Sequence, residues 1–167
     1  MCIDGPAGSG KTTLARTVAS LAEAPVVQMD DLYDGWDGLP RVTDQLDRLL
    51  LPLAEGVAGS YRRYDWGRQE YAETVTVAPA PLLVLEGVGA GSLAHAARCT
   101  VLAWVEAPDD LRLQRGLTRD GPEVEQQWRR WMRTEAEHFA EQRTRDRADV
   151  IVDGTAAAPP RSPGRVT

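Results

Sequence analysis

The sequence predicts an α/β fold: a five-stranded parallel sheet with helices on both faces. Three observations predict it. Short apolar runs alternate with helical stretches along the chain, the order that builds parallel sheets with crossover helices. The glycine-rich segment Gly5-Pro6-Ala7-Gly8-Ser9-Gly10 stands between the first apolar run and the first amphipathic stretch. Carboxylates follow two of the runs, Asp30 and Glu86, which puts them at the carboxyl ends of strands, where open α/β sheets take their ligands.

Residues 1–4 read as the end of a buried strand that runs into the glycine turn. Over residues 11–23, Leu14, Val18, Leu21 and Ala22 recur at three- and four-residue spacings, the pattern of a helix with one packed face. Pro25 ends it, and residues 26–29 form a second strand. Leu46, Leu49, Leu50 and Leu53 make another helical stripe, closed by Glu55-Gly56. Residues 60–77, with Tyr61, Tyr64, Trp66 and Tyr71, read as a hairpin or lid. Residues 82–85, 100–105 and 148–152 supply the third, fourth and fifth strands. Between the last two, residues 109–117 and 123–143 read as helices parted by the Asp120-Gly121-Pro122 turn. From Ala156 the chain is rich in Ala, Pro and Arg, so residues 156–167 are expected to be a disordered tail. That leaves residues 1–155 as one domain, with a hairpin at 60–77 and a lid at 112–122.

A chain of 167 residues, 43% hydrophobic and 26% charged, suits one domain with one buried core. The formal charge of −6 and pI near 5.0 argue against a nucleic-acid partner, because phosphate backbones are held by clustered basic residues. Cys2 and Cys99 fall in different predicted strands and match no disulfide framework or metal-ligand spacing, which fits the cytoplasm. No run approaches the ~18 apolar residues of a membrane span, so no membrane partner is expected. A homo-oligomer stays open.

Gly5 to Thr12 fits the P-loop pattern G-x-x-x-x-G-K-[ST], between an apolar strand and an amphipathic helix. The fold is accordingly expected to be the three-layer P-loop NTPase fold. Glycines let successive N–H groups point at phosphate oxygens, and the helix dipole adds to that field. Gly5, Ala7, Gly8, Ser9, Gly10, Lys11, Thr12 and Thr13 form the expected ATP-binding set, with Lys11, the only lysine in the chain, reaching the β- and γ-phosphates. The Thr12 hydroxyl is a candidate Mg²⁺ ligand. Phosphoryl transfer also needs one carboxylate near the metal and one at the attacking hydroxyl. Asp30 and Glu86 are the candidates, so the metal set is Thr12, Asp30 and Glu86.

These motifs, with Asp30-Asp31-Leu32-Tyr33, Tyr64-Asp65-Trp66, Glu86-Gly87-Val88, Arg112-Leu113-Gln114-Arg115 and Arg119-Asp120, resemble in order and spacing the uridine/cytidine kinase branch of P-loop kinases, over residues 2–120. The resemblance implies transfer of the γ-phosphate of Mg-ATP to the 5′-hydroxyl of a nucleoside. Asp30 then matches the general base, Tyr33 lines the nucleoside pocket and Asp44 holds the ribose hydroxyls. Tyr64 packs near the base, with Arg68 beside the same pocket. Asp44 equally suits a helix N-cap before Leu46. The hairpin lacks the histidine that the family carries there.

Arg112, Arg115 and Arg119, three and four residues apart, share a helix face. In the resembling kinases this segment is a lid, which implies Arg115 on ATP and Arg119 on the substrate, both catalytic. The same spacing fits a solvated face paired with Asp109, Asp110 and Asp120. Trp128, Trp131 and Phe139 read as core, Trp66 as packing, and His95 and His138 as residues without ligand-like neighbours. Two other functions remain: a kinase of another small metabolite alcohol, and a nucleotide-dependent ATPase switch, against which the chain has no N-K-x-D motif.

Overall fold

The computed structural model describes residues 1–156 and 158–163. Its strands are β1 (Cys2–Asp4), β2 (Val26–Gln28), β3 (Gly59–Asp65), β4 (Glu70–Val77), β5 (Val84–Glu86), β6 (Leu102–Glu106) and β7 (Val150–Asp153). Its helices are α1 (Lys11–Ala22), α2 (Thr43–Ala54), α3 (Asp109–Asp120), α4 (Glu125–Gln142) and the short α5 (Thr144–Arg147). Five strands form one parallel sheet in the order β2-β5-β1-β6-β7, and β3 pairs only with β4 as a separate hairpin.

Successive side chains of a strand face opposite sides, and the apolar runs supply both. Ile3, Val84, Ala103 and Val105 pack with Ala15 and Ala19 of α1. Cys2, Leu85, Leu102 and Trp104 face the larger cluster with Leu46 and Leu49 of α2, Tyr61 of the hairpin and Trp131 of α4. Strands covered on both faces read as continuous apolar runs, as parallel sheets require.

The predicted elements all form, with shifted ends. The second strand stops at Gln28, and Met29–Asp31 turn as a 3₁₀ helix closed by the Leu32 amide on the Met29 carbonyl. The fourth strand runs on to Glu106, and the helix after it continues to Asp120, where Gly121 at φ 99° breaks it. Arg143, at φ 49°, ends α4 and separates it from α5. The tail departs from expectation at Arg161, which pairs backbone to backbone with Ile151 and ion-pairs with Glu106 at 3.0 Å. Positions 157 and 164–167 of that tail lie outside the described residues. The two cysteines, free and remote in sequence, meet: a contact between the thiols holds Cys99 down at about 7 and pushes Cys2 well up. His95 is a buried histidine whose Nε2 bonds to Asp47 at 2.8 Å, while its Nδ1 finds no partner among the described residues.

Asp4, fully buried at the end of β1, ties the sheet to the loop after β5. Its carboxylate accepts from the amides of Gly5 (2.7 Å), Gly89 (2.9 Å) and Gly91 (2.8 Å). Burial nevertheless pushes it up to about 6 from an ordinary 3.8. A carboxyl whose folded pKa lies above its unfolded one stabilises the fold fully below the unfolded value and loses that contribution as pH rises through the folded value. Between pH 4 and 7 the protein should therefore lose about 2 kcal/mol through this group. Urea unfolding of wild type and Asp4→Asn across that range checks it: the difference between the two should shift steadily in the variant's favour as pH rises.

Candidate active site

The glycine-rich turn carries β1 into α1 without a side-chain cap at Gly10, so the first-turn N–H groups of α1 are left for an anion. Gly8 is required twice over. It sits at φ 76°, and a Cβ there would lie 2.6 Å from the Arg112 carbonyl oxygen. Lys11 is buried, and its Nζ donates to the Pro6 carbonyl at 2.9 Å across the mouth of the loop. Desolvation lowers its pKa, against the opposing pull of Glu135, Asp4, Glu86 and Asp30.

One cavity of about 650 Å³ gathers most of the predicted site. Ala7, Gly8, Gly10, Lys11, Thr12, Thr13, Asp30, Tyr33, Glu86, Arg115 and Arg119 all line it. Gly5 and Ser9 are buried behind the loop rather than on its face. At the floor, Thr12 Oγ1 donates to Glu86 Oε1 at 2.9 Å, and Gln28 Nε2 donates to the same oxygen at 3.0 Å. Gln28 is a member that sequence reasoning missed, although it sits one residue before the predicted strand's end. Hard oxygen donors of this kind suit Mg²⁺. No three His, Cys, Asp or Glu converge among the described residues, so a magnesium ion here would share its shell with phosphate oxygens and water.

The arginines divide. Arg115 bridges the P-loop to the turn after β7, donating to the carbonyls of Gly8 and Gly154, both at 3.1 Å. Arg119 forms a two-pronged pair with Asp120 at 2.7 and 2.9 Å, and lies over the ring of Trp128 at 5.7 Å. Arg112 is not part of a lid. It is buried, bonded to Glu135 at 2.7 Å, to the Ala7 carbonyl at 3.0 Å and to Asp109 at 2.7 Å. Glu135 in turn accepts from the Ala7 amide at 2.8 Å. An ion pair behind the P-loop thus holds both backbone groups of Ala7.

The predicted acceptor residues divide as well. Tyr33 is buried with its hydroxyl on the Val88 carbonyl. Asp44 lies exposed in the first turn of α2, Arg68 pairs with Glu70 at 2.7 Å on the hairpin, and Tyr64 packs against Trp66 and Tyr71. None of these three lines the cavity. One end of the cavity is walled instead by Trp36, Trp66, Trp128 and Trp131, with Asp31 and Gln69. Trp36 contacts the other three tryptophans edge to face, at centroid distances of 5.5, 6.3 and 6.2 Å. Trp66 donates from its indole to the Asp30 carbonyl at 2.9 Å, fastening the hairpin tip beside the candidate base. Gly116 of α3 presses on Trp128: a Cβ there would fall 2.4 Å from its ring.

No protein-family model matches the chain, and no curated protein matches it in sequence. Solved structures do match. A possible uridine kinase from Bacillus stearothermophilus superposes with a TM-score of 0.65 at 20% identity, over 91% of this chain and 86% of that one. A candidate fructose transport system kinase from Silicibacter superposes at 0.56 and 18% identity, over 84% of each chain. At such identities the likeness is one of fold: this chain has the α/β fold of the P-loop kinases.

Proposed function

We propose that the protein is a kinase that transfers the γ-phosphate of Mg-ATP to a hydroxyl of a small molecule, with a nucleoside-like alcohol as the first acceptor to test. The observation that carries this reading is a single cavity holding the P-loop lysine, the Thr12–Glu86 pair and the Asp30 carboxylate. Its volume is that of a small-ligand site.

In that reading the acceptor oxygen attacks the γ-phosphorus in line while the bond to the β-phosphate oxygen breaks, and the hydroxyl proton passes to Asp30. Lys11 and the loop amides take up the phosphate charge. Arg119 stabilises the transferring group once it exchanges Asp120 for phosphate, and Arg115 fixes the loop from the nucleotide side. Thr12 and Glu86, with Asp30 in reach of the same cavity, would hold Mg²⁺, which would supply neutralisation of phosphate charge. The tryptophan walls suit a planar base.

Asp44 favours the broader form of the proposal over a ribose clamp. Because it is exposed and away from the cavity, Asp44→Ala should leave kcat/KM for the true acceptor within about twofold of wild type, as surface substitutions do. A coupled ADP-release assay with Mg-ATP against nucleosides, sugars and other small alcohols tests the whole reading. Acceptor-dependent ADP release supports it; ATP hydrolysis that is brisk and indifferent to every alcohol would point to an ATPase switch instead.

A further inference from the structure

Resting on the kinase reading above, we infer that the acceptor carries an amino group, and that Asp31 receives it inside the tryptophan-walled end of the cavity. The charges of that end favour this class. The cations lining the cavity are Lys11, Arg115 and Arg119. Lys11 belongs to the P-loop, Arg115 is held by two carbonyls, and Arg119 is paired with Asp120. The nearby hairpin arginines are committed elsewhere, Arg68 to Glu70 at 2.7 Å and Arg63 to Glu73 at 2.7 and 3.0 Å. Among the described residues that line the cavity, no further arginine or lysine is left to receive a carboxylate or phosphate on the acceptor.

The carboxylates there are Asp30, which the reaction uses, and Asp31. Asp31 is half-buried at the cavity wall. Among the described residues, the one hydrogen bond its carboxylate receives is from the Tyr61 hydroxyl, at a long 3.5 Å. A half-buried carboxylate with so weak a donor is poorly compensated for its lost water. An N–H group arriving with the substrate supplies the missing donor. Tryptophan faces beside it add attraction for a positive or electron-poor group, and Trp36, touching Trp66, Trp128 and Trp131 at once, fixes their spacing. Among the described residues lining that end, anionic acceptors meet two carboxylates and no uncommitted cation.

Three matched primary alcohols test this: 4-(aminomethyl)benzyl alcohol, 4-methylbenzyl alcohol and 4-(hydroxymethyl)benzoate, with cytidine and uridine as a second pair that differ in an amino group. The expected order of kcat/KM is amine, neutral, carboxylate, with about tenfold between the first two, the size of one hydrogen bond to a charged group. Cytidine should exceed uridine. Asp31→Asn should bring the amine preference down to about twofold, acting on KM rather than kcat, and Trp36→Leu should raise KM for both the amine and the neutral alcohol. Where turnover is too slow, calorimetric binding of the three alcohols to the enzyme loaded with a non-hydrolysable ATP analogue gives the same ranking. A carboxylate preference, equal or undetectable binding of all three, or an amine preference that survives in Asp31→Asn overturns the inference. Failure of the ATP analogue itself to bind would sink the kinase reading instead.

Discussion

Asp30→Asn should lower kcat for the acceptor alcohol by about 10²–10⁴-fold, the range expected when a positioned proton acceptor is lost. Asparagine keeps the size of the side chain, so the cavity and the Trp66 bond to the residue 30 carbonyl persist, while the group that takes the hydroxyl proton is gone. The ATP KM should move little, because the phosphate cradle is made by the loop amides and Lys11. Single-turnover kinetics with Mg²⁺ titration distinguish the two roles open to Asp30. A fall in rate at saturating Mg²⁺ marks the base; a fall that is restored by more Mg²⁺ marks a metal ligand; an unchanged rate removes Asp30 from the chemistry.

Glu135→Leu should destabilise the fold by about 3–5 kcal/mol, the cost of leaving a buried partner charge uncompensated. Arg112 is 5% exposed and Glu135 1%, so water cannot replace the lost carboxylate, and the Ala7 amide loses its acceptor too. The double variant Arg112→Met/Glu135→Leu removes both charges and should regain most of that stability, since apolar replacement of a buried pair is often neutral or better. It should not regain ATP affinity, because Ala7 then loses the anchors on both of its backbone groups. Urea unfolding and ATP KM, measured on all three proteins, should therefore part company in the double variant. If the ATP KM recovers along with stability, the pair holds only the fold and not the loop.

How far the site could be read in advance follows from what local pattern encodes. The P-loop was legible because its chemistry depends on consecutive backbone groups, and spacing along the chain is then the whole signal. Asp30 and Glu86 were legible because a strand's carboxyl end is a place in the sequence as well as in space. Arg112, by contrast, shares a helix face with Arg115 and Arg119, and periodicity states which residues face together without stating what they face. Its partner Glu135 lies 23 residues on, and Ala7 a further 128 residues back from that, separations across which no motif runs. Asp44 had a local pattern that a helix start satisfies as well as a sugar does. Trp128 and Trp131 do pack as core, yet one side of each is cavity wall. A buried aromatic on a helix stripe looks the same in sequence whether it touches another side chain or a ligand.

The contact of Gly116 with Trp128 has a thermodynamic consequence. With no room for a methyl group between them, α3 and α4 are geared at that point. Arg115 and Arg119 ride on one helix and Trp128, bonded to Asp120 at 2.8 Å, on the other, so in the proposed reaction an acceptor bound against the indole would restrain the guanidiniums of the neighbouring helix. Free-energy coupling of this kind is reciprocal: whatever factor the acceptor adds to the affinity for the ATP analogue, the analogue adds to the affinity for the acceptor.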